Sequence, residues 1–278
     1  MLTRLGSEQH SGRQHVGSVL IDEGAIHCEV EGSGSAPLLL VNSLGTSLGM
    51  WDDQIPALTE GYRIIRYDLR GHGCSSPTQR RECAIADLAI DALAVLDSAG
   101  VGVADWCGLS LGGMIAMWVA IHQPQRVARL ILCNTAAHLP PAELWQARIE
   151  AVRRDGMHLV SATVIERWFT PSFRAAAPER VKRIAGMLRA TEPNSYAAAC
   201  SAIRDMDQRE DVKSIAAPTL IIGGSKDPAT PLAFAQELHL SIAGSELKVL
   251  DAAHLSNVER RSEFSQVVRG FLHSDRRP

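Results

Sequence analysis

Short apolar runs recur along this chain, and stretches with helical periodicity separate them. Unbroken apolar runs are typical of strands buried on both faces, as in a parallel sheet covered by helices. The clearest helical stretches between them cover 85–99 and 111–121. A repeat of strand, helix and strand implies right-handed crossovers. We therefore predict an α/β fold with a doubly wound, mostly parallel central sheet flanked by helices. The predicted strands lie at 25–30, 37–42, 62–67, 104–107, 129–133, 218–223 and 246–250.

The alternation stops between residues 138 and 212, where the pattern is helical throughout and prolines divide it into short segments. Because strands resume afterwards, we interpret 138–212 as a helical cap inserted into a core formed by 18–137 and 213–278. Residues 1–17 are polar and lack the apolar segment of a secretory signal. We expect a flexible N-terminal tail there.

Composition excludes several classes of partner. A formal net charge of −3 over 278 residues gives no electrostatic reason to expect nucleic acid or an anionic membrane. No apolar run approaches the roughly 20 residues that a membrane-spanning helix needs. The six cysteines lack Cys-x-x-Cys spacing and a histidine placed to complete a zinc pattern. We expect a cytoplasmic protein with reduced thiols, and no metal or cofactor.

The motif that points to chemistry is Gly-x-Ser-x-Gly, with Ser110 at its centre and Gly108 and Gly112 on either side. An apolar strand enters it and a helical segment leaves it. A serine on such a sharp strand-to-helix turn has an exposed hydroxyl, and the glycines let strand and helix approach closely. We predict that Ser110 is a nucleophile. The alternative is a glycine-rich turn whose serine only caps the helix.

Serine needs a base to take its proton and an acid to orient that base. Where a nucleophilic serine lies on such a turn between a strand and a helix, the three residues follow along the chain in the order serine, acid, histidine. Asp227 follows the predicted strand at 218–223 and His254 follows the last one, so both should lie at the sheet edge that carries Ser110. Asp251 lies nearer to His254 in sequence, but we expect it to brace the loop. His138 remains an alternative that could face the pocket.

Stabilisation of a tetrahedral intermediate requires two N–H groups aimed at the developing negative charge. We predict that the backbone of Leu111, directly after the nucleophile, supplies one of them. The loop after the strand at 37–42 should supply the other, from Leu44. These amides would form the oxyanion hole.

Several segments resemble the 3-oxoadipate enol-lactonases, a group of α/β-hydrolases, over roughly 18–272. The pair Asn42-Ser43 is more telling than the shared core motifs, because most relatives carry His-Gly there. One departure is Leu111, where methionine is commoner. The resemblance implies an α/β-hydrolase fold and Ser110, Asp227 and His254 as a triad. It also implies opening of an enol-lactone with a carboxymethyl arm to 3-oxoadipate, in the β-ketoadipate pathway of aromatic breakdown. The segments are 42–51, 66–73, 107–113, 134–137, 145–148, 167–171 and 251–259.

A small anionic lactone would need an apolar wall and a cation. Trp145 can supply the wall, and Arg148, three residues on and near the same helix face, can pair with the carboxylate. The alternative is that both belong to the surface of an amphipathic helix. Two other functions stay open. One is a general carboxylesterase or carbon–carbon bond hydrolase on the same scaffold, and the other is a ligand receptor without catalysis.

Overall fold

A single eight-stranded sheet forms the centre of the computed structural model, which describes residues 13–274. Its order is β1-β2-β4-β3-β5-β6-β7-β8. The β1–β2 and β2–β4 pairs are antiparallel, and all other neighbours are parallel. The predicted mostly parallel sheet is confirmed. The strands are β1 (Arg13–Ile21), β2 (Gly24–Glu31), β3 (Ala36–Val41), β4 (Tyr62–Tyr67), β5 (Ala104–Leu109), β6 (Val127–Cys133), β7 (Thr219–Gly224) and β8 (Glu246–Leu250).

The first strand was not expected. β1 pairs with β2 from Arg13↔Glu31 to Ile21↔Gly24 as a hairpin at the sheet edge. The expected tail over 1–17 is therefore wrong for 13–17, and residues 1–12 of that tail lie outside the described range, as do residues 275–278 of the expected core. Residues 17–21 alternate between half-buried and exposed, so one face of this edge strand lies toward solvent and the strand carries no long apolar run.

The interior strands are buried as their apolar runs predict. In β3, residues 38–41 are fully buried, and so are residues 130–133 in β6. β8 differs, because Glu246, Lys248 and Val249 are exposed. It is the other edge strand of the sheet, so helices do not cover both of its faces.

Helices of the core pack on both sides of this sheet. Leu88, Val95 and Leu96 are buried on the second helix, and Phe264 and Val268 on the last. Within residues 13–274, no helix is both long enough and apolar enough to cross a lipid bilayer. The core helices are α1 (Ile55–Leu58), α2 (Ile85–Ser98), α3 (Leu111–His122), α9 (Leu232–Ser241), α10 (Ser256–Glu259) and α11 (Arg261–His273), and 3₁₀ turns occur at Leu48–Trp51, Pro124–Arg126 and Asp211–Ser214.

Five helices lie between β6 and β7, and we call them the cap. No residue of 138–212 belongs to one of the eight strands, and the segment's sole β-bridge joins His138 to Asp207. Val152 of the first cap helix and Leu188 of the fourth are buried in the same hydrophobic cluster as the core. The cap helices are α4 (Ala142–Asp155), α5 (Met157–Trp168), α6 (Pro171–Ala176), α7 (Pro178–Ala190) and α8 (Pro193–Asp205).

Candidate active site

Ser110 lies at the turn between β5 and α3 with φ 57° and ψ −116°, a conformation that residues with a side chain rarely adopt. Two glycines make the turn possible. A Cβ on Gly108 would collide with the backbone of Gly112, and one on Gly112 would collide with the backbone of Val41. The Ser110 side chain makes no capping hydrogen bond to the helix. Its hydroxyl is therefore not used for capping, which removes the support for the alternative interpretation of the motif.

His254 and Asp227 form a buried pair. Nδ1 of His254 lies 2.8 Å from Oδ2 of Asp227, and the two residues are 3% and 5% exposed. Because the carboxylate accepts at Nδ1, that nitrogen carries the proton and Nε2 is left to act as a base. His254 and Ser110 line the same cavity. The arrangement can therefore transfer a proton between a serine hydroxyl and an oriented imidazole.

Asp227 keeps its negative charge despite its burial. Oδ1 accepts hydrogen bonds from the amides of Ala229 at 2.7 Å and Thr230 at 3.0 Å. Oδ2 accepts from the Thr230 hydroxyl at 2.7 Å and from Nδ2 of Asn134 at 2.9 Å. Burial raises the pKa of Asp227, but His254 and these side-chain donors outweigh burial, so that its pKa lies below the usual value.

Sequence reasoning missed Asn134 and Thr230 as members of this site. Asn134 follows β6 with φ 44°, and its Oδ1 accepts a hydrogen bond of 2.6 Å from the Ser256 hydroxyl. That bond fixes which way the amide points, so Nδ2 faces Asp227. The signal in the sequence was its position, because Asn134 directly follows β6, and β6 lies beside β7, the strand that leads to Asp227.

The rival residues lie elsewhere. Asp251 is exposed and pairs with Lys226 at 2.7 Å and with Arg260 at 2.8 Å, as expected for a residue that braces a loop. Nδ1 of His138 lies 3.0 Å from the carbonyl of Met206, and this histidine does not line the cavity. Neither residue competes with Asp227 or His254 for a place beside Ser110.

The proposed oxyanion amides flank the nucleophile. Leu111 is the first residue of α3, and the amides of a helix's first turn have no acceptor within the helix. Leu44 lines the cavity. Within residues 13–274 we find no hydrogen-bond acceptor for its N–H. Gly45, which follows it with φ 76°, turns the loop back. Both N–H groups are therefore available to a ligand.

The cap closes the cavity over Ser110. The cavity lies between the core loops that carry Ser110 and His254 and the cap helices that carry Trp145 and Arg167. The wall is mainly apolar and aromatic, with polar groups around Ser110 and two arginines on the cap side. Its lining consists of Ser43, Leu44, Ser110, Leu139, Trp145, Arg148, Val164, Arg167, Trp168, Tyr196, Ile203, Ala229, Thr230 and His254.

Trp145 and Arg148 both reach this cavity, as predicted from their spacing. Nε1 of Trp145 donates to the carbonyl of Leu139 at 3.0 Å, and the Arg148 guanidinium stacks 4.8 Å from the centre of the Trp145 ring. Arg167 lines the cavity too and donates to the carbonyl of Pro228 at 2.9 Å.

The charges of Arg148 and Arg167 are not neutralised by ion pairs within the described residues. No carboxylate among residues 13–274 forms an ion pair with Arg148 or Arg167. Burial lowers the pKa of Arg167, and the neighbouring Arg148 cation lowers it further. A half-buried pair of like charges next to the Ser110 cavity is an electrostatic arrangement suited to an anionic ligand.

Comparison with known proteins agrees with this geometry. The family profile described as the alpha/beta hydrolase fold matches residues 36–260. 3-Oxoadipate enol-lactonase 2 of Acinetobacter baylyi is 39% identical over 249 residues, which is 89% of this chain and 93% of the relative. The chain therefore resembles that enzyme along nearly its whole length.

Solved structures give the same result. The enol-lactonase from Burkholderia xenovorans LB400 superposes with a TM-score of 0.91 at 35% identity, covering 93% of this chain and all of the other. A hydrolase from Pseudomonas aeruginosa PA01 superposes with a TM-score of 0.90 at 40% identity, covering 94% and 99%. The chain is a hydrolase that belongs to the alpha/beta hydrolase fold family and, within it, to the group of the 3-oxoadipate enol-lactonases.

Proposed function

We propose that this hydrolase opens the enol-lactone of 3-oxoadipate and releases 3-oxoadipate. The observation that carries the proposal is that Arg148 and Arg167, which pair with no carboxylate of residues 13–274, line the same cavity as Ser110 and His254. A lactone with a carboxylate arm presents an ester for the serine and a negative charge for the arginines. The enol-lactonase relatives support the same substrate.

The reaction begins with acyl transfer. Nε2 of His254 takes the proton from Ser110 as Oγ attacks the lactone carbonyl, and Asp227 holds the imidazole in the required tautomer. The amides of Leu111 and Leu44 bind the oxyanion. When the bond between the carbonyl carbon and the ring oxygen breaks, His254 returns the proton to the ring oxygen. The enol that leaves ketonises, while its carbonyl carbon remains bound to Ser110.

Hydrolysis completes the cycle. His254 removes a proton from water, which attacks the acyl carbon, and then protonates Oγ of Ser110 as the carboxylate product departs. The product carries two carboxylates where the substrate carried one. The buried Asp227 is also negative, so repulsion within the pocket favours release of the product.

Substrate orientation comes from the cap. The carboxylate lies against Arg148 and Arg167, which offsets the free-energy cost of removing it from water. Trp145 supports Arg148 by stacking and supplies a flat apolar wall for the ring. This arrangement places the lactone carbonyl at Ser110 and the charged arm toward the cap.

We place the reaction in the β-ketoadipate pathway of aromatic breakdown, in the cytoplasm. The six cysteines support a reducing compartment, since all are free thiols. Cys107 and Cys133 are fully buried with their sulfurs 4.0 Å apart and unbonded, which fits their role as small core residues.

Turnover of the enol-lactone, followed by ultraviolet absorbance, tests this proposal. We expect hydrolysis by the wild-type protein and none above background by Ser110→Ala, which should still unfold at the wild-type temperature. An uncharged lactone of similar size and a simple aryl ester serve as comparison substrates. Efficient aryl ester hydrolysis without turnover of the enol-lactone would contradict the proposal and favour a general carboxylesterase.

A further inference from the structure

Three potential metal ligands meet on the core, outside the cavity that contains Ser110. His27 lies on β2, Asp68 follows β4 directly, and Cys74 lies in the same loop as Asp68. One ring nitrogen of His27, one carboxylate oxygen of Asp68 and Sγ of Cys74 all lie within 4.8 Å of one another. None of the three lines the Ser110 cavity.

Backbone hydrogen bonds fix these residues relative to one another. The Asp68 amide donates to the carbonyl of His27 at 2.9 Å, and the Cys74 amide donates to Oδ2 of Asp68 at 2.9 Å. The Ser75 hydroxyl joins the group, because it accepts from the His27 amide at 2.9 Å and donates to the Asp68 carbonyl at 2.7 Å. The fold therefore holds the backbones of the three residues together, with their ligand atoms within 4.8 Å of one another.

The donor types and their exposure suit a thiophilic cation. A thiolate, an imidazole and a carboxylate are ligands of Zn²⁺, which is often held by three protein groups and one water. The Cys74 side chain is exposed and gives an ion access from solvent, while Asp68 is 2% exposed.

We propose that His27, Asp68 and Cys74 form a binding site for a thiophilic divalent cation such as Zn²⁺. The three residues come from a strand and a loop that are distant in sequence, so no spacing motif reveals them. This site is separate from the proposed acyl-transfer chemistry at Ser110.

The site is linked to the loop that carries Leu44. Oδ1 of Asp68 accepts a hydrogen bond of 2.7 Å from the amide of Leu48, the first residue of the 3₁₀ turn after that loop. A bound cation withdraws charge from the Asp68 carboxylate and weakens that hydrogen bond. We expect the loop to loosen and kcat to fall. This consequence rests on the proposed oxyanion role of Leu44, whereas cation binding does not.

Co²⁺ is the probe for binding, because a cobalt–thiolate bond gives a charge-transfer absorption band. We expect wild-type protein to show the band and Zn²⁺ to remove it by competition. Cys74→Ser should abolish the band. His27→Gln should weaken binding roughly 100-fold, since even groups around the ligands contribute about 10- to 100-fold in affinity. His158→Gln, which changes an exposed cap histidine, is the control and should bind as wild type.

Two results would overturn the site itself: absence of the band in wild type at millimolar Co²⁺, or a band that survives Cys74→Ser. The kinetic link has its own test with Zn²⁺ and a hydrolysed ester. We expect Zn²⁺ to lower kcat of the wild type and to leave Cys74→Ser unaffected. Equal inhibition of both proteins, or unchanged kcat when the spectrum shows a filled site, would refute the link.

Discussion

At the scale of single residues, the charge on Asp227 depends on the hydrogen-bond donors that surround it. Four hydrogen bonds from Ala229, Thr230 and Asn134 reach its two oxygens, in addition to the one from His254. Hydrogen bonds to a charged group contribute about 1.5–3 kcal/mol each. The buried carboxylate is thereby held in one orientation and remains ionised, as the proposed triad acid must. We therefore propose that Asn134 is a positioning residue.

Replacing Asn134 by glycine tests this role without straining the backbone, because glycine accepts the φ of 44° at this position. We expect kcat to fall roughly tenfold with little change in KM, since the change affects proton transfer and not substrate binding. Steady-state kinetics on the enol-lactone measures both constants. Ser256→Ala, which removes only the hydrogen bond that orients Asn134, should give a smaller loss. An unchanged kcat in Asn134→Gly would mean that Asn134 is structural.

Arg148→Ala should raise KM for the anionic lactone more than for the neutral lactone. A charge-assisted hydrogen bond contributes roughly 1.5–3 kcal/mol, which corresponds to about a tenfold to hundredfold change in affinity. If the contact is equal in the ground state and the transition state, kcat stays nearly constant. Parallel kinetics on the two lactones checks this. Equal losses on both would make Arg148 a structural residue and leave Arg167 as the main contact.

At the scale of elements, the loop that carries Leu44 packs against the cap. A Cβ added to Gly45 would collide with the Leu188 side chain of α7 and approach the Tyr196 ring of α8 to 3.1 Å. The φ of 76° at Gly45 also disfavours any residue with a side chain. The position of Leu44 therefore depends on contact between core and cap.

Gly45→Ala should displace the amide of Leu44 and lower kcat by about tenfold or more, because the loss of an oxyanion donor slows catalysis. It should also lower the free energy of unfolding by about 1–2 kcal/mol, because alanine is strained in the left-handed conformation. Enzyme kinetics and thermal unfolding measure the two effects. Gly186→Ala on α7 is the matched control, because its Cβ meets nothing within 4 Å and alanine favours a helix. Wild-type kcat in Gly45→Ala would show that the loop can shift without losing the amide of Leu44.

The strands and loops show which parts of the fold and of the candidate site could be predicted from the amino-acid sequence. Apolar runs identify the interior strands, and parallel strands bring their carboxyl ends together, so the pattern alone predicts Ser110, Asp227 and His254 at one edge of the sheet. β1 was missed because a hairpin edge has no such run. The tie between Asn134 and Asp227 depends on side-chain orientation, and the convergence of the His27 cluster depends on the antiparallel register of β2 and β4. Hydrophobic pattern carries neither kind of information.

At the scale of the whole molecule, the cap is joined to the core at many points. Nη1 of Arg183 donates to Oδ2 of Asp52 at 2.7 Å, and Arg180 pairs with Asp53. Backbone bonds add to these contacts, such as the one of 2.9 Å from the amide of Glu192 to the carbonyl of Gly71. One hydrophobic cluster runs through both parts. We infer that cap and core unfold together, in spite of their different architectures.

Leu188→Ala tests that inference, because Leu188 is a fully buried residue of the cap, whereas hydrogen exchange can be followed in strands of the core. Removing a buried leucine costs about 2–5 kcal/mol. If the protein unfolds as one unit, the opening free energy of the slowest-exchanging amides should fall by the same amount in β5 and β6 as in α7. Leu144→Ala on α4 is the control, since Leu144 is 65% exposed and should change neither. Faster exchange confined to α4–α8, with β5 and β6 unaffected, would mean that the cap opens independently, and access to Ser110 would then be governed by cap motion.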